Sequence, residues 1–380
     1  MFGKKFPLFQ ILGFQIYADL TWLFLAVLVT WSLAAGLFPS LYPELGPTTY
    51  WSMAVVGAIG LFASLILHEL SHSLVARRYG LPIGGITLWI FGGVAEMTSE
   101  PESARAEFRI AIAGPLMSFA LAGVFYLLAG LSQSQSLGVP ITGVLSYLAL
   151  INLILAIFNM IPAFPLDGGR VLRAGIWAWK GSLKQATYWA SMAGSGFGML
   201  LIALGLVALV SGNFMGGFWW MLIGFFVHSA ARSSYSQLMA RRVLEGEKVE
   251  RFMSRDAATV PPDIDLKTFV EEYAYAFHHD FYPIVGEDGR LIACLNIRQV
   301  KDIPREDWPN RKVIDIADRC SPDNTIRPDA DAARLLQHMT RSGNSRLMVV
   351  DGNKLVGVVV LKDLMEYISM RLDLEGDDEN

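Results

Sequence analysis

From Ile110 to Leu166 the chain carries no charged residue, and from Gln185 to Ala231 it carries no Asp, Glu, Lys or Arg and a single histidine, His228. Runs of this kind constrain the fold before anything else does. In lipid every backbone N–H and C=O must be satisfied within the structure, which leaves helices and closed barrels, and unbroken apolar stretches of about 18 or more residues select helices. Tyr50 to Leu67 is a further uncharged stretch of spanning length. The chain is 53% hydrophobic and only 17% charged, and its charges gather after Arg232, where the composition becomes that of an ordinary soluble domain. The fold class that follows is an α-helical polytopic membrane domain of about six transmembrane helices with small membrane-associated β elements, followed by a soluble α/β domain.

The spans read as residues 20–37, 50–78, 110–131, 141–161, 188–210 and 214–231. Pro39, Pro43, Gly46 and Pro47 break the chain after the first, and Gly80 and Pro82 stop the second. Residues 9–18 alternate in polarity and read as an interfacial hairpin or strand; residues 83–98 are Gly-rich and strand-like. The connections between spans one and two, three and four, and five and six hold no Lys or Arg. Arg77, Arg78, Arg105, Arg109, Arg170, Arg173, Lys180, Lys184, Arg232, Arg241 and Arg242 all fall on the opposite side with the N-terminus. By the positive-inside rule this places both termini in the cytoplasm of a multi-pass cell-membrane protein. Met1 to Phe6 holds two lysines but no short apolar core, so no removable signal peptide is read there. The two cysteines, Cys294 and Cys320, give no disulfide framework and fit a reducing cytosol. A net charge of −4 without a basic stripe argues against nucleic acid and leaves lipid as the partner.

At the end of the second span stands His68-Glu69-Leu70-Ser71-His72. On a helix the two histidines are one turn apart on one face, the i, i+4 spacing in which two imidazoles hold one Zn²⁺, with Glu69 placed to act on a water. Ionisable residues at membrane depth are costly and mark function by default, against the plainer reading of two helix-end histidines among headgroups. A catalytic zinc needs a third protein ligand. Asp167 follows the long uncharged run within Asn159-Met-Ile-Pro-Ala-Phe-Pro-Leu-Asp-Gly-Gly169, where Pro162 and Pro165 forbid a regular helix, and broken backbone near membrane depth belongs around a cavity. Its alternative is a surface loop residue capping the next helix. His228 and Glu96 are the other candidates.

The soluble part repeats itself. Tyr282 to Val300 aligns without a gap on Arg346 to Leu364, at an offset of 64 residues, and each copy reads strand, turn, strand, helix. Thr259-Val-Pro-Pro-Asp263 matches Thr325-Ile-Arg-Pro-Asp329 upstream. This resembles a tandem pair of CBS domains. The organisation is a membrane domain over 1–235, a linker over 236–248, the CBS pair over 249–372 and an acidic tail over 373–380. In adenosine-binding CBS repeats a Gly is followed by a hydroxyl residue and then a ribose-holding Asp. The second copy has Gly357, Val360 and Asp363, the first Ala293, Asn296 and Gln299. An adenine nucleotide at Asp363 and a plain homodimerisation role are the two readings of the pair.

His68-Glu69-Leu70-Ser71-His72 with Asn159 to Asp167 resembles the paired signature of the site-2 protease family of intramembrane zinc metalloproteases, in the branch with C-terminal CBS domains. Gly92-Gly93-Val-Ala-Glu96 and Ala113-Gly114-Pro115 extend the likeness. The resemblance implies one zinc held by His68, His72 and Asp167, Glu69 as general base and acid, and Asn159 on the substrate carbonyl or oxyanion. It implies peptide-bond hydrolysis in or near transmembrane segments of substrate proteins such as single-span regulators, which is regulated intramembrane proteolysis, with residues 86–97 placed to receive an unwound substrate strand. The competing class is a CBS-gated ion channel or transporter, which calls for inverted repeats and a path of polar residues across the spans. The six spans show no such repeat.

Overall fold

The computed structural model describes residues 5–90, 92–97, 100–321 and 324–375. The chain forms two compact units, Met1–Tyr235 and Ser236–Asn380.

The first unit opens on a hairpin, β1 (Lys5–Ile11) and β2 (Phe14–Asp19), turned at Leu12–Gly13 in the left-handed region. Asp19 ends β2 and caps α1 (Leu20–Ser32), its carboxylate accepting from Thr21 N–H at 2.9 Å. The first span does not stop before Pro39. It passes through a π-turn, Leu33–Leu37, and resumes over Phe38–Leu41, so Pro39 is taken up in a continuous helix just after the π-turn. After α2 (Pro47–Arg78) come β3 (Ile83–Trp89) and β4 (Gly92–Met97), so the Gly-rich strand-like stretch is a hairpin. The strands make one sheet in the order β1-β2-β3-β4, with β2 and β3 parallel at Ile16 and Ile86 and the other pairs antiparallel. Phe14, Ile16, Ile86 and Leu88 pack on Leu70 of α2, which seats the sheet beside the His-Glu turn.

The remaining helices are α3 (Ala104–Ser134), α4 (Val139–Asn159), α5 (Asp167–Lys180), α6 (Leu183–Val210) and α7 (Phe214–Leu244). Among the described residues, six helical lengths are long and apolar enough to cross a membrane: Leu20–Leu41, α2, α3, α4, α6 and α7. α3 starts six residues before the uncharged run, with the Ser103 hydroxyl capping Ala106 N–H, because a helix leaving the apolar layer tolerates charge.

In the second unit the two repeats each build a three-stranded sheet. One has the order β5-β6-β7, from Phe281–Val285, Leu291–Asn296 and Asp318–Arg319; the other has the order β10-β9-β8, where β8 is Thr325–Ile326, β9 Arg346–Asp351 and β10 Lys354–Val360. The helix α8 (Ala332–Ser342) and the closing helix α9 (Leu361–Glu375) complete the second repeat; the equivalent closing helix of the first is only Ile297–Lys301. Tyr282, Ile284 and Leu295 centre one core, Leu335, Val349, Val359 and Leu364 the other. Residues 236–244, expected as linker, are the end of α7: Ala240, Val243 and Leu244 stand at helical spacing and bury in the second repeat's core with Val249.

Candidate metal centre

The centre is built by three elements. α2 carries His68 and His72, both buried, on one face. α5 begins at Asp167, after a loop whose prolines, Pro162 and Pro165, end α4 at Asn159 and leave the carboxylate free to point inward. Gly169 presses the first turn of α5 on the backbone of Ala163 and Phe164, where a Cβ has no room. α3 lies across both and supplies what orients them.

Asp167 Oδ2 lies 3.1 Å from His68 Nε2 and 3.1 Å from His72 Nε2, and the two Nε2 atoms are 3.2 Å apart. The other ring nitrogens are engaged by α3. His72 Nδ1 is 2.6 Å from the Ile110 carbonyl, which only accepts, so Nδ1 carries the hydrogen and a neutral ring presents a lone pair at Nε2. His68 Nδ1 is 2.8 Å from Ser118 Oγ, itself fully buried. Three donor atoms therefore converge on one point, an arrangement that could hold a metal ion. Gly114 of α3 faces that point, and a Cβ there would collide with both Nε2 atoms. Two imidazoles and a carboxylate, each ring held at its other nitrogen, are a donor set of the kind that suits zinc. Among the described residues these three form the one such grouping of His, Cys, Asp and Glu.

The other sequence candidates lie as follows. Glu69 is half-buried, and its side chain lies against Gly93 of β4. Asn159 is the last residue of α4 and its Nδ2 donates back to Leu155 O at 3.0 Å. His228 joins α7 to α6, its Nδ1 2.9 Å from Ser195 Oγ, and is not in the cluster. The Glu96 side chain lies outside the described residues. Asp363 is exposed on the first turn of α9. Sequence reasoning missed Ile110, Ser118, Glu107 and Arg173. Glu107, Ile110, Gly114 and Ser118 fall at helical spacing on α3, but a stripe of these residue types is ordinary in a membrane helix and gave no signal of its own.

A multi-pass membrane unit that gathers two buried histidines and a partly buried aspartate, followed by paired CBS folds, defines the class: a membrane-embedded zinc metalloprotease with a CBS module. Residues 56–138 and 131–203 match the family model for peptidase family M50, and residues 249–306 and 300–370 that for the CBS domain. Rip3 of Mycobacterium tuberculosis is 35% identical over 365 residues, 96% of this chain and 93% of that protein. The zinc metalloprotease MJ0392 of Methanocaldococcus jannaschii is 30% identical over 368 residues, 96% of each chain. The solved site-2 protease from Methanocaldococcus jannaschii is 33% identical, covering 61% of this chain and 95% of its own, with a TM-score of 0.42. The chain belongs to peptidase family M50, the site-2 protease family, and is a zinc metalloprotease carrying CBS domains. The channel or transporter reading finds no support among these relatives.

Proposed function

We propose that the protein hydrolyses peptide bonds within or beside membrane-spanning segments of other proteins, a step of regulated intramembrane proteolysis, with one zinc held by His68, His72 and Asp167. The observation that carries this reading is the convergence of those three donors inside a unit of six apolar helices. When bound, zinc supplies Lewis acidity to a water and to the scissile carbonyl. Glu69, one residue from His68 and outside the donor set, accepts the proton the attacking water loses and passes it to the leaving amine. Asn159 holds the substrate carbonyl once its amide turns away from Leu155 O. β4 ends the sheet, and its outer edge takes up the unwound substrate strand, replacing the hydrogen bonds that the substrate loses on leaving its own helix.

The Lys and Arg distribution supports cytoplasmic termini and a cytoplasmic CBS pair. In the first repeat Asn296 and Gln299 form a capping box for the helix that follows, which commits both side chains. A ribose then has only Asp363 of the second repeat, and a regulatory or homodimerising role suits the pair. The test is co-expression with tagged single-span membrane proteins, wild type beside Glu69→Gln. A shortened tagged product with the wild type alone is the expected result; the same products with both, or with neither for every substrate tried, defeat the reading.

A further inference from the structure

Glu107 and Arg173 are buried charges that the chemistry above leaves unused. Glu107, in the first turn of α3, has no exposed surface, and Arg173 of α5 is 6% exposed. The Arg173 guanidinium donates to Glu107 Oε1 through both Nε and Nη2, the first at 2.7 Å, and Arg170 of the same helix stands 3.9 Å from that oxygen. Arg173 also lies over the ring of Phe164, in the loop that delivers Asp167. A buried ion pair contributes little net stability, since desolvating two charges offsets most of their attraction, and its attested value is in fixing register.

The register at stake is that of Asp167. The carboxylate sits on the first residue of α5, so the rotation and height of that helix set where Oδ2 falls. One face of α3 meets every part of the centre: Glu107 holds Arg173, the Ile110 carbonyl holds His72, Gly114 makes room at both Nε2 atoms, and Ser118 holds His68. We propose that the Glu107–Arg173 pair is a positioning device that keys α5 to α3, so that Asp167 is presented to the two histidines at ligand distance. The idea rests on the zinc reading above. Two N–H groups of one planar guanidinium meet the single oxygen Oε1, which fixes the guanidinium's angle of approach as well as its distance, and a lysine in the same place does not.

The experiment uses the full chain in detergent, with metal affinity read by chelator competition, the visible absorption of the Co²⁺-loaded protein as a signature of ligand geometry, and thermal unfolding as the measure of fold. Two variants are compared with wild type: the double change Glu107→Leu with Arg173→Met, which removes both charges at similar volume, and Arg173→Lys, which keeps the charge and loses the planar pair of donors. The expected result for the double variant is an unfolding temperature near wild type with metal affinity about 10- to 100-fold weaker and an altered Co²⁺ spectrum, the range seen when groups orienting metal ligands are removed. Arg173→Lys is expected to weaken binding severalfold with unchanged unfolding, and it carries the test if the double variant does not fold. Wild-type affinity and spectrum in a folded variant overturn the proposal. Asp167→Ala is the control: if it binds metal as wild type does, the ligand assignment has failed; if it loses metal while the pair variants keep it, only the positioning role has.

Discussion

Gly114→Ala separates the metal centre from the stability of the helices that build it. A Cβ at this position would stand 2.5 Å from His68 Nε2 and nearer still to His72 Nε2, where ordinary contact begins at 3.4 Å. The rings must retreat by roughly 1 Å, while metal–ligand distances hold to about 0.2 Å, so the donor set is broken. Stability moves much less. Alanine for glycine inside a helix gains about 1 kcal/mol. Displacing the rings weakens two hydrogen bonds, His72 to Ile110 and His68 to Ser118, of about 0.5–1.5 kcal/mol each. The net loss is then about 0–2 kcal/mol, a fall of several degrees at most in unfolding temperature. Elemental analysis of purified protein and chelator competition give the metal content, and thermal unfolding in the same detergent gives the fold. The expected outcome is a folded protein without metal or cleavage. A Gly114→Ala protein that holds one zinc at wild-type affinity would refute the location of the centre.

Glu69→Gln keeps size and one oxygen but removes the base, so metal content should survive while single-turnover cleavage falls by several powers of ten; undiminished cleavage sinks the proton-shuttle assignment. Ser118→Ala removes the partner of His68 Nδ1 and should weaken metal binding about 10-fold or more, measured by chelator competition; equal affinity would show that Ser118 does not orient the ring. For topology, single cysteines at the exposed Leu137 and Asp288, in a chain with Cys294 and Cys320 replaced, should label from outside and only after permeabilisation respectively; the reverse pattern, Asp288 labelling in intact cells and Leu137 only after permeabilisation, inverts the assigned orientation. Burial, then the neighbouring Cys320, pushes the Cys294 thiol above its ordinary 9.0. The folded state therefore holds that proton more tightly than the unfolded chain, and the stability it contributes is present below pH 9 and lost as pH rises beyond it. Hydrogen-exchange protection of β6 should drop as pH rises above 9 in wild type and drop less in Cys294→Ala; parallel profiles contradict this.

The sequence displays the spans because lipid forbids charge over their length, and displays the His-Glu turn because a proposed metal site would fix residue type and spacing. Helix ends were less legible. α3 begins at Ala104 and α7 runs to Leu244 because those helices continue beyond the apolar layer, where nothing in a hydropathy pattern marks them. The expected linker failed for the same reason: Ala240, Val243 and Leu244 bury in the second repeat's core, and only tertiary packing shows which core they join. Asp167 was visible as a candidate beside His228 and Glu96, but a one-dimensional pattern does not rank three polar residues by distance. The structure brings Asp167 to the histidines and gives His228 to Ser195.

Ser118 and Glu107 show the deeper limit of pattern reading. Serine is ordinary in a membrane helix, where small residues let helices approach, so its type carries no signal until the ring of His68 is seen 2.8 Å away. Glu107 reads as one of several charges at a helix start, placed where an acid favours the helix dipole. Its meaning comes from being fully buried against Arg173, sixty-six positions on, at the head of the face that holds both histidines. Ligands can be recognised by residue type because the metal demands it; the residues that aim them are recognised only by contact, since many side chains and any backbone carbonyl can do that work. If α3 aims the ligands as proposed, a chain that keeps its His-Glu-Leu-Ser-His turn and Asp167 intact still loses its metal through a change on α3.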